Sequence, residues 1–532
     1  MLKKILPIFG FLFLTYTTHA QRNVILIIAD DVGSDYCGFY ENHLDTCKLP
    51  NVRRLLARGV RFRNAWSNPL CSPTRAGILT GRYSFRTGVG DAIGGAGSAV
   101  LDTAEITIPK LLNRYAPNGI AKANIGKWHL QSPMPNTNLV YPNRMGYDHF
   151  EGNFTGMLNS FTNWTKVKNG VSSNVTTYAT TETANNAISW IKTQGNKPFF
   201  LWLAFNAPHT PHHLPPTSLH SYKNLSGTTA DIAANPKSYF KASVEALDHE
   251  IGRLFDSLQA LGKWDNTDII FIGDNGNESS VAQSRGGAKG SIDQEGVGVP
   301  FIISGPSVVN PNRVSDALLS THDLFATILE LFGYSDWPGQ IPANKPVDSR
   351  SIMPILKNQL TEVRSWVFTE VFKNPSVAGD GKTMRNKDYK LLDFDNGAQK
   401  FFRISNDPTE SNDLLLSTMD ATAKNNYTAL CTEMTKLVGT GGFCNLSTPT
   451  TDLTNAHKQL RIYPNPVLDF LTLEHAQGNE AYRVLNGLGQ VLYAGVGIQK
   501  LNLSGLDAGV YFLELVGKER TVLRFLKGRL HN

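Results

Sequence analysis

The sequence lacks several features that would assign it to common functional classes. After its first twenty residues it has no apolar stretch long enough to cross a bilayer. Its net charge of +6 is mild and is not gathered into runs, and no nucleic-acid-binding motif accompanies it. Gly88–Gly97 is glycine-rich but has no following Lys-Ser or Lys-Thr, which argues against a phosphate-binding P-loop and favours a mobile loop near a site. We therefore expect no transmembrane segment and no nucleic-acid partner.

The first twenty residues are typical of a secretory signal peptide. Lys3 and Lys4 precede a short apolar run, Ile5 to Leu14, and Thr18-His19-Ala20 provides a small-residue cleavage site. The run is too short for a membrane anchor. Residues 1–20 are therefore predicted to be a signal peptide, and the mature protein is predicted to be soluble and extracytoplasmic.

Cysteine is scarce. In an oxidising compartment the pairs closest in sequence are Cys37 with Cys47 and Cys431 with Cys444, although four cysteines allow three connectivities. Cys71 is then left over. The residues alone leave two interpretations of it open, a buried apolar side chain or a side chain with a chemical role.

Apolar runs alternating with helical patterns indicate an α/β fold. Asn23–Ala29, Phe199–Phe205 and Asp268–Ile272 are rich in apolar and β-branched or aromatic residues, which is typical of parallel strands buried on both faces. Helical patterns lie between them, as in Asn51–Arg58 and Ala242–Leu261. We predict a mostly parallel central sheet flanked by helices.

The pattern changes after about residue 365. Short alternating segments at Trp366–Val371, Tyr389–Phe394 and Lys400–Ile404 precede a helix-like stretch, Met419–Leu437, and predict a small α+β subdomain. Beyond a Thr-, Ser- and Asn-rich linker, short strand-like runs predict a separate small β-sandwich. The predicted divisions are 1–20, 21–364, 365–445, 446–460 (the linker) and 461–532.

Polar residues follow each of the three strands. Asp30 and Asp31 end the first, His209 follows the second, and Asp274 and Asn275 end the third. Because open α/β sheets bind ligands beyond the carboxyl ends of their strands, these residues are expected to converge. Oxygen ligands alone suit Ca²⁺ or Mg²⁺ rather than zinc. Helix capping is the alternative explanation for such Asp and Asn residues.

Residues 71–81, CSPTRAGILTG, place the odd cysteine at the start of a predicted helix. Pro73 suits a first helical turn. Cys71 would then lie at a helix N-terminus, where free N–H groups favour an anion. Arg75, one turn later, is a permanent cation that could reach the same point.

This stretch resembles the signature of the type I sulfatases, C-x-P-S/T-R followed by T-G, within the alkaline phosphatase superfamily. Further segments resemble that family in the same order, over roughly residues 22–440. They are ADDVG at 29–33, GKWH at 126–129, APH at 207–209, GDNG at 273–276 and the lysine of AKGSIDQEG. One segment departs from the family, because EGVGVP at 295–300 replaces EGG-x-R-V-P and lacks its arginine.

The resemblance implies a chemistry for each of these residues. Cys71 would be converted to formylglycine (3-oxoalanine), an aldehyde whose hydrate would be the nucleophile. The reaction would pass through a covalent sulfo-enzyme. His209 would protonate the leaving alcohol, and His129 would take a proton from the hydrated aldehyde. The resemblance also implies that three cationic residues are catalytic: Arg75, Lys127 and Lys289. It implies a bound Ca²⁺, or alternatively Mg²⁺, with the ligands Asp30, Asp31, Cys71, Asp274 and Asn275. His212 and His213 follow His209 and are candidate substrate-binding residues or loop surface.

The C-terminal segment resembles the type IX secretion sorting domain of Bacteroidetes, on Tyr463-Pro464-Asn465-Pro466 and LNLSGLDAGVYFL. The resemblances together imply a secreted or cell-surface sulfuric ester hydrolase acting on a sulfated polysaccharide or its oligosaccharides, such as algal ulvan. Its partners would be a formylglycine-generating or other sulfatase-maturing enzyme and the type IX machinery. The alternatives are a phosphodiester or phosphonate monoester hydrolase of the same superfamily, and a catalytically inactive glycan-binding protein.

Overall fold

A computed structural model of the chain describes residues 22–439, except 41–44, 95–97, 133–137 and 284–286. It also describes 461–528, except 464, 466, 475–480, 487–489, 498–499 and 517–519. The predicted signal peptide and linker lie outside these residues. Contacts divide the chain into two units, Met1–Asn445 and Leu446–Asn532. Within the described ranges no helix is both long and apolar enough to span a membrane.

A ten-stranded sheet forms the centre of the first unit, in the order β10-β2-β9-β8-β1-β7-β3-β4-β5-β6. Its strands are β1 Asn23–Ala29, β2 Gly59–Trp66, β3 Ala121–Lys127, β4 His149–Asn153, β5 Trp164–Lys168, β6 Val171–Val175, β7 Phe199–Ala204, β8 Thr267–Gly273, β9 Phe301–Ser304 and β10 Arg313–Ser320. The five strands from β8 to β4 run parallel. β9, β5 and β6 add antiparallel pairings at the flanks, so the sheet is mixed and mostly parallel at its centre.

Helices cover both faces of this sheet. They are α1 Pro50–Arg53, α2 Cys71–Thr80, α3 Ser84–Thr87, α4 Ile108–Tyr115, α5 Tyr141–Arg144, α6 Ala179–Thr193, α7 Thr229–Ala234, α8 Pro236–Ala260, α9 Gln294–Val297, α10 Leu324–Leu331 and α11 Met353–Leu356. Strand β1 shows why both faces must be covered. Val24, Leu26 and Ile28 pack in one core cluster, whereas Ile25 and Ile27 pack in the other. Side chains alternate across a strand, so a continuous apolar run needs a helical layer on each side.

The small C-terminal subdomain of the first unit is an antiparallel sheet packed on one helix. Strands β11 Val367–Val371, β12 Gly381–Arg385, β13 Lys390–Phe394 and β14 Gln399–Phe402 pair in chain order, and helix α12 spans Ala421–Val438. Phe401 of β14 and Tyr427 of α12 meet edge to face in its core. The predicted antiparallel strands and helix are therefore present.

Buried Glu370 in β11 makes stability depend on pH. Burial raises the pKa of Glu370 to about 7, and the Phe85 N–H donates to its Oε1 at 2.7 Å. The folded protein thus binds this proton more tightly than the unfolded chain, so its stabilising effect is full below the unfolded pKa and is lost as pH rises to about 7. Above pH 8, Glu370→Gln should raise the free energy of unfolding by about 1–3 kcal/mol, because it keeps the acceptor without the charge.

Urea denaturation at pH 5 and pH 8.5 measures this effect. Glu433→Gln, at a half-buried position of α12, serves as the control for removing a carboxylate elsewhere in the subdomain. A Glu370→Gln difference of equal size at both pH values would refute the titration.

The second unit consists of two small antiparallel sheets. One has the order β15-β16-β19 and the other β18-β17-β20-β21. The strands are β15 Arg461–Tyr463, β16 Phe470–Glu474, β17 Ala481–Asn486, β18 Val491–Val496, β19 Lys500–Asn502, β20 Gly509–Val516 and β21 Arg520–Lys527. Leu471 and Leu501 of the first sheet share a core with Val484 and Leu513 of the second. This agrees with the predicted β-sandwich.

One predicted disulfide is wrong. Cys37 and Cys47 are buried free thiols, although a backbone bridge places the two residues opposite each other. The sulfur of Cys37 points instead to the carbonyl of Gly33, at 4.0 Å. Cys431 is disulfide-bonded, and Cys444 lies outside the described residues.

Candidate active site

The predicted site residues gather at the carboxyl edge of the central parallel strands. Strand β1 lies between β7 and β8, and β3 lies beyond β7. Hydrogen bonds hold the strand ends in register: the Asp30 N–H donates to the Ala207 carbonyl and the Asp274 N–H to the Ala29 carbonyl, each at 3.2 Å. Segments far apart in sequence therefore deliver their side chains to one place.

Asp30, Asp31, Asp274 and Asn275 form a buried acidic cluster. Asn275 Nδ2 donates to Asp31 Oδ1 at 2.7 Å, and the Asp31 N–H donates to Asp274 Oδ1 at 3.1 Å. Ligand atoms of Asp30, Cys71 and Asp274 lie within 4.8 Å of one another. Asp30 Oδ1 and Asn275 Oδ1 are buried without a hydrogen-bond partner in the described part of the chain. The Arg75 guanidinium lies 3.8 Å from Asp30 Oδ1, too far for a hydrogen bond. Buried oxygens without a hydrogen bond fit a hard cation.

Each of the three carboxylates also contacts a cation. Lys127 Nζ donates to Asp30 Oδ2 at 2.6 Å, and Lys289 Nζ lies 2.7 Å from Asp31 Oδ1. The third contact is Arg75 with Asp274. Burial raises the pKa of Asp30 well above its usual value. Burial also acts to raise the pKa of Asp31, but the charges of His209 and Lys289 outweigh this effect and lower the pKa of Asp31.

Helix α2 positions Cys71 and Arg75. It begins at Cys71, and all ten of its residues are buried. Arg75 donates through Nε and Nη2 to Asp274 Oδ2, at 3.0 and 2.7 Å, and through Nη1 to the Lys127 carbonyl at 2.9 Å. The helix packs closely on buried His322, because a Cβ at Gly77 would lie 2.3 Å from its Nε2. Cys71 is thereby fixed above the acidic cluster.

His129 lies directly against Cys71. Its Nδ1 is 3.1 Å from the Cys71 sulfur, and its Nε2 is 2.8 Å from the Ile93 carbonyl. Burial, reinforced by the charge of Lys127, holds the pKa of His129 well below its usual value. A neutral imidazole can accept a proton at the position of the Cys71 side chain.

His209 and Lys289 form the opposite side of the site. Lys289 Nζ is 2.9 Å from His209 Nε2, and His209 Nε2 is 3.6 Å from Asp31 Oδ2. Burial, with the charges of Lys127 and Lys289, lowers the pKa of His209 to about 4, and Asp31 offsets part of this effect. Burial also acts to lower the pKa of Lys289, but Asp31 outweighs it and keeps the lysine charged.

His212 and His213 make their hydrogen bonds and ring contacts with residues outside this cluster. His213 stacks on Phe161 with ring centroids 3.9 Å apart, and the Tyr178 hydroxyl is 3.1 Å from its Nε2. His212 Nε2 is 3.2 Å from Ser280 Oγ. Their predicted role in substrate binding stays a prediction.

Two residues of the site did not emerge from the sequence. Ser72 Oγ donates to the His129 carbonyl at 2.9 Å and accepts from the Ile93 N–H at 3.1 Å, so it links the catalytic helix, the histidine and the glycine-rich loop. Asn206 supports His209: its carbonyl accepts from the His209 N–H at 3.0 Å, and its Nδ2 donates to Asn153 Oδ1 at 2.8 Å. In the sequence, only the position of Ser72 beside Cys71 pointed to Ser72. No sequence pattern marks Asn206.

Sequence comparison agrees with this geometry. Residues 22–334 match the sulfatase family profile. The chain belongs to the sulfatase family. Residues 288–438 match the C-terminal region of N-sulphoglucosamine sulphohydrolase, and residues 461–526 match a secretion system C-terminal sorting domain. The predicted resemblances to type I sulfatases and to the type IX sorting domain are thereby confirmed.

Individual relatives are distant. Human N-acetylgalactosamine-6-sulfatase is 28% identical over 374 residues, which cover 63% of this chain and 65% of that protein. Mouse steryl-sulfatase is 27% identical over 427 residues, covering 63% and 65% respectively. The chain thus spans less than two thirds of the length of these two relatives. Both relatives are named as sulfatases.

Solved structures share the fold. The crystal structure of Ps i-CgsB superposes with a TM-score of 0.66 at 27% identity, covering 78% of this chain and 92% of that one. The same protein in complex with k-i-k-neocarrahexaose gives 0.64. A sulfatase from Pseudoalteromonas sp. gives 0.60 at 21% identity, a likeness of fold alone. The predicted alkaline phosphatase-like fold class is confirmed.

Proposed function

We propose that this sulfatase is exported and hydrolyses sulfate esters of a glycan, with formylglycine at position 71 as nucleophile. The observation that carries the proposal is the position of Cys71. Its sulfur lies 3.1 Å from His129 Nδ1, at the N-terminus of a buried helix. It is also within 4.8 Å of carboxylate oxygens of Asp30 and Asp274, which are contacted by the cations Lys127 and Arg75. A helix N-terminus and these cations favour an anionic ester at this position.

The acidic cluster is proposed to hold Ca²⁺, with Mg²⁺ as the alternative, through Asp30, Asp31, Asp274, Asn275 and residue 71. All five of these residues offer oxygen once Cys71 is converted, and two of the cluster's buried oxygens lack a hydrogen-bond partner in the described structure. Such a cation supplies charge stabilisation for sulfate oxygens and for the nucleophile. The family generally uses this metal and this modification.

Two histidines are proposed to move protons in the reaction. His129, neutral and against residue 71, takes a proton from the hydrated aldehyde there. His209 gives a proton to the leaving alcohol oxygen as its bond to sulfur breaks. In the free protein the pKa of His209 is about 4, but a sulfate ester beside Lys289 brings negative charge next to the imidazole and raises that pKa. Substrate binding thus favours the protonated acid.

Arg75, Lys127 and Lys289 are proposed to offset negative charge on the sulfuryl group in the transition state. Arg75 and Lys127 are fully buried, so water screens their charge little. Arg75 acts partly by orientation, because its guanidinium fixes the Asp274 carboxylate.

The substrate class is proposed from the relatives and from the sorting domain. One relative is named for a sulfated amino sugar, and one structure holds a neocarrahexaose. The type IX sorting domain implies export to the cell exterior or surface, where large glycans occur. We extend this to a sulfated algal polysaccharide such as ulvan, or to its oligosaccharides.

Release of free sulfate from a panel of sulfated algal polysaccharides and their oligosaccharides tests the proposal. The protein should be produced with a formylglycine-generating enzyme, and the aldehyde at position 71 should be verified by mass. Release identifies the substrate class. If the aldehyde is present and no panel member is desulfated, while the matching phosphate esters are cleaved or the glycans only bind, the phosphodiesterase or binding alternative replaces the proposal.

His209→Ala should reduce kcat for alkyl sulfates by about 10²–10⁴-fold, the usual contribution of a general acid. The loss should shrink with nitrophenyl sulfate, whose leaving group needs little protonation. Steady-state kinetics on both esters measures the difference. His249→Ala, at an exposed position of α8, is the comparison variant. A loss below tenfold on the alkyl ester would reject the assigned role.

A further inference from the structure

We infer that a cavity next to the catalytic histidines binds an uncharged sugar unit adjacent to the sulfated one. The cavity has a volume of about 390 Å³, within the range of small-molecule sites. Its lining includes Thr155, Met157, Asn159, Asn163, Thr165 and Asn174, and it is called the amide cavity below. The inference rests on the proposed function and adds the neighbouring sugar to it.

The amide cavity lies at the same edge of the sheet as the active site. Strand β4 ends at Asn153, level with the end of β3 at Lys127. Strand β5 runs antiparallel to β4 with Val167 opposite Gly152, so Trp164 and Thr165 lie beyond the end of β4. Asn174 pairs with Thr165 from β6. The cavity is therefore built from the segment that follows β4 and from the adjoining ends of β5 and β6.

This segment contacts His129 directly and is linked to His209 through Thr210. Gly156 lies so close to the ring of His129 that a Cβ there would be 2.4 Å from its Nε2. Thr210 Oγ1 is 3.7 Å from Met157 Sδ and 3.3 Å from His209 Nδ1. A glycan whose sulfate lies between the histidines would thus extend its next unit towards Met157.

The lining chemistry selects an uncharged polar ligand. No lining residue of the amide cavity carries a charged side chain. Asn159, Asn163 and Asn174 are exposed, and within the described structure their side chains make no hydrogen bond or ion pair. A free carboxamide offers both donors and acceptors, which matches the hydroxyl groups of a sugar.

The same lining disfavours a second sulfate. A sulfate in this cavity would lack the counter-charge that Arg75, Lys127 and Lys289 provide in the catalytic centre. An anion there would give up water of hydration without gaining an ion pair in return. The preferred glycan therefore has an unsulfated sugar next to the sulfated unit that is cleaved.

The test compares a galactan oligosaccharide of alternating sulfated and unsulfated units with nitrophenyl sulfate. For the double variant Asn159→Ala/Asn163→Ala, the ratio of kcat/KM for the oligosaccharide to kcat/KM for the aryl ester should fall about 10- to 30-fold, the value of two to three hydrogen bonds. The loss should appear mainly in KM. Ser173→Ala, on β6 and outside the cavity lining, should leave the ratio unchanged.

Two further arms separate this inference from the proposed function. An unchanged ratio in the double variant, or a parent enzyme that prefers the fully sulfated oligosaccharide, overturns the inference. Calorimetry with the chemically desulfated oligosaccharide tests the amide cavity without catalysis, and the double variant should bind at least tenfold more weakly. If the parent protein binds this ligand but desulfates nothing, the proposed function fails and the inference stands.

Discussion

Replacing Cys71 with alanine is expected to reduce sulfate release by at least about 10⁴-fold, the scale on which enzymes lose activity with their nucleophile. The fold should survive the change. Cys71 is buried at the start of α2, and its sulfur contacts His129. The hydrogen bonds that hold the helix in place are made by Ser72 and Arg75 and remain in the variant. Loss of one sulfur atom removes little packing compared with a large core side chain.

Cys47→Ala is the matched control for this variant. Cys47 is also a buried free thiol, but it packs in the core cluster behind β1. It should retain the parent's kcat with a small drop in thermal midpoint. Parent protein made without a formylglycine-generating enzyme should carry a thiol at position 71 by mass and match Cys71→Ala in activity. Sulfate release by Cys71→Ala at more than one hundredth of the parent rate would exclude residue 71 as the nucleophile.

The sequence was informative wherever local composition alone determines the structure. The prediction for β1 has the bounds of the observed strand, because a strand buried on both faces is apolar at every position. Helix α8 begins at Pro236, six residues before its predicted start. Its first turn carries polar residues such as Lys237 and Ser238, so no apolar periodicity marked it, although proline at a helix start is common.

Long-range pairings could not be predicted in this way. Strand β2 enters the sheet through antiparallel β9 and parallel β10, both more than 230 residues away along the chain. In its sequence, GVRFRNAW, Arg61 and Arg63 interrupt the apolar positions. Nothing in this sequence indicates which strands lie beside it. Such a strand becomes stable only when the rest of the sheet is present.

In the candidate site, too, some features could be predicted from the sequence and others could not. Strand ends of a parallel sheet meet at one edge, so the positions of Asp30, His209 and Asp274 could be expected from sequence. The pairing of each cation with its carboxylate could not be predicted from the sequence. Arg75 was expected near the position of Cys71, and its guanidinium bonds to Asp274. That choice depends on how far α2 lies above the sheet, which buried contacts such as Gly77 with His322 determine.

Metal removal should lower both activity and stability, and Asp30→Asn should abolish the response to added metal. In the parent protein, Ca²⁺ at one hundred times its Kd should stabilise the fold by about 2.7 kcal/mol. Asp30 is well suited to test this, because its Oδ1 has no hydrogen-bond partner in the described structure, while its Oδ2 accepts from Lys127. Asparagine keeps the shape and an acceptor for Lys127, and removes the charge that a divalent cation needs.

Thermal midpoints of chelator-treated protein, titrated with Ca²⁺ and separately with Mg²⁺, measure binding without reference to turnover. Asp268→Asn is the control, because Asp268 is a buried carboxylate on β8 that accepts from Ser307 rather than joining the cluster. It should lose stability but keep the full metal-dependent rise. Asp30→Asn should show no rise at the same concentrations and should lose about 10²–10³-fold in kcat. An equal rise of the thermal midpoint in Asp30→Asn would place the metal ion elsewhere. If neither metal raised the thermal midpoint of the parent protein, the paired cationic side chains alone would balance the three carboxylates.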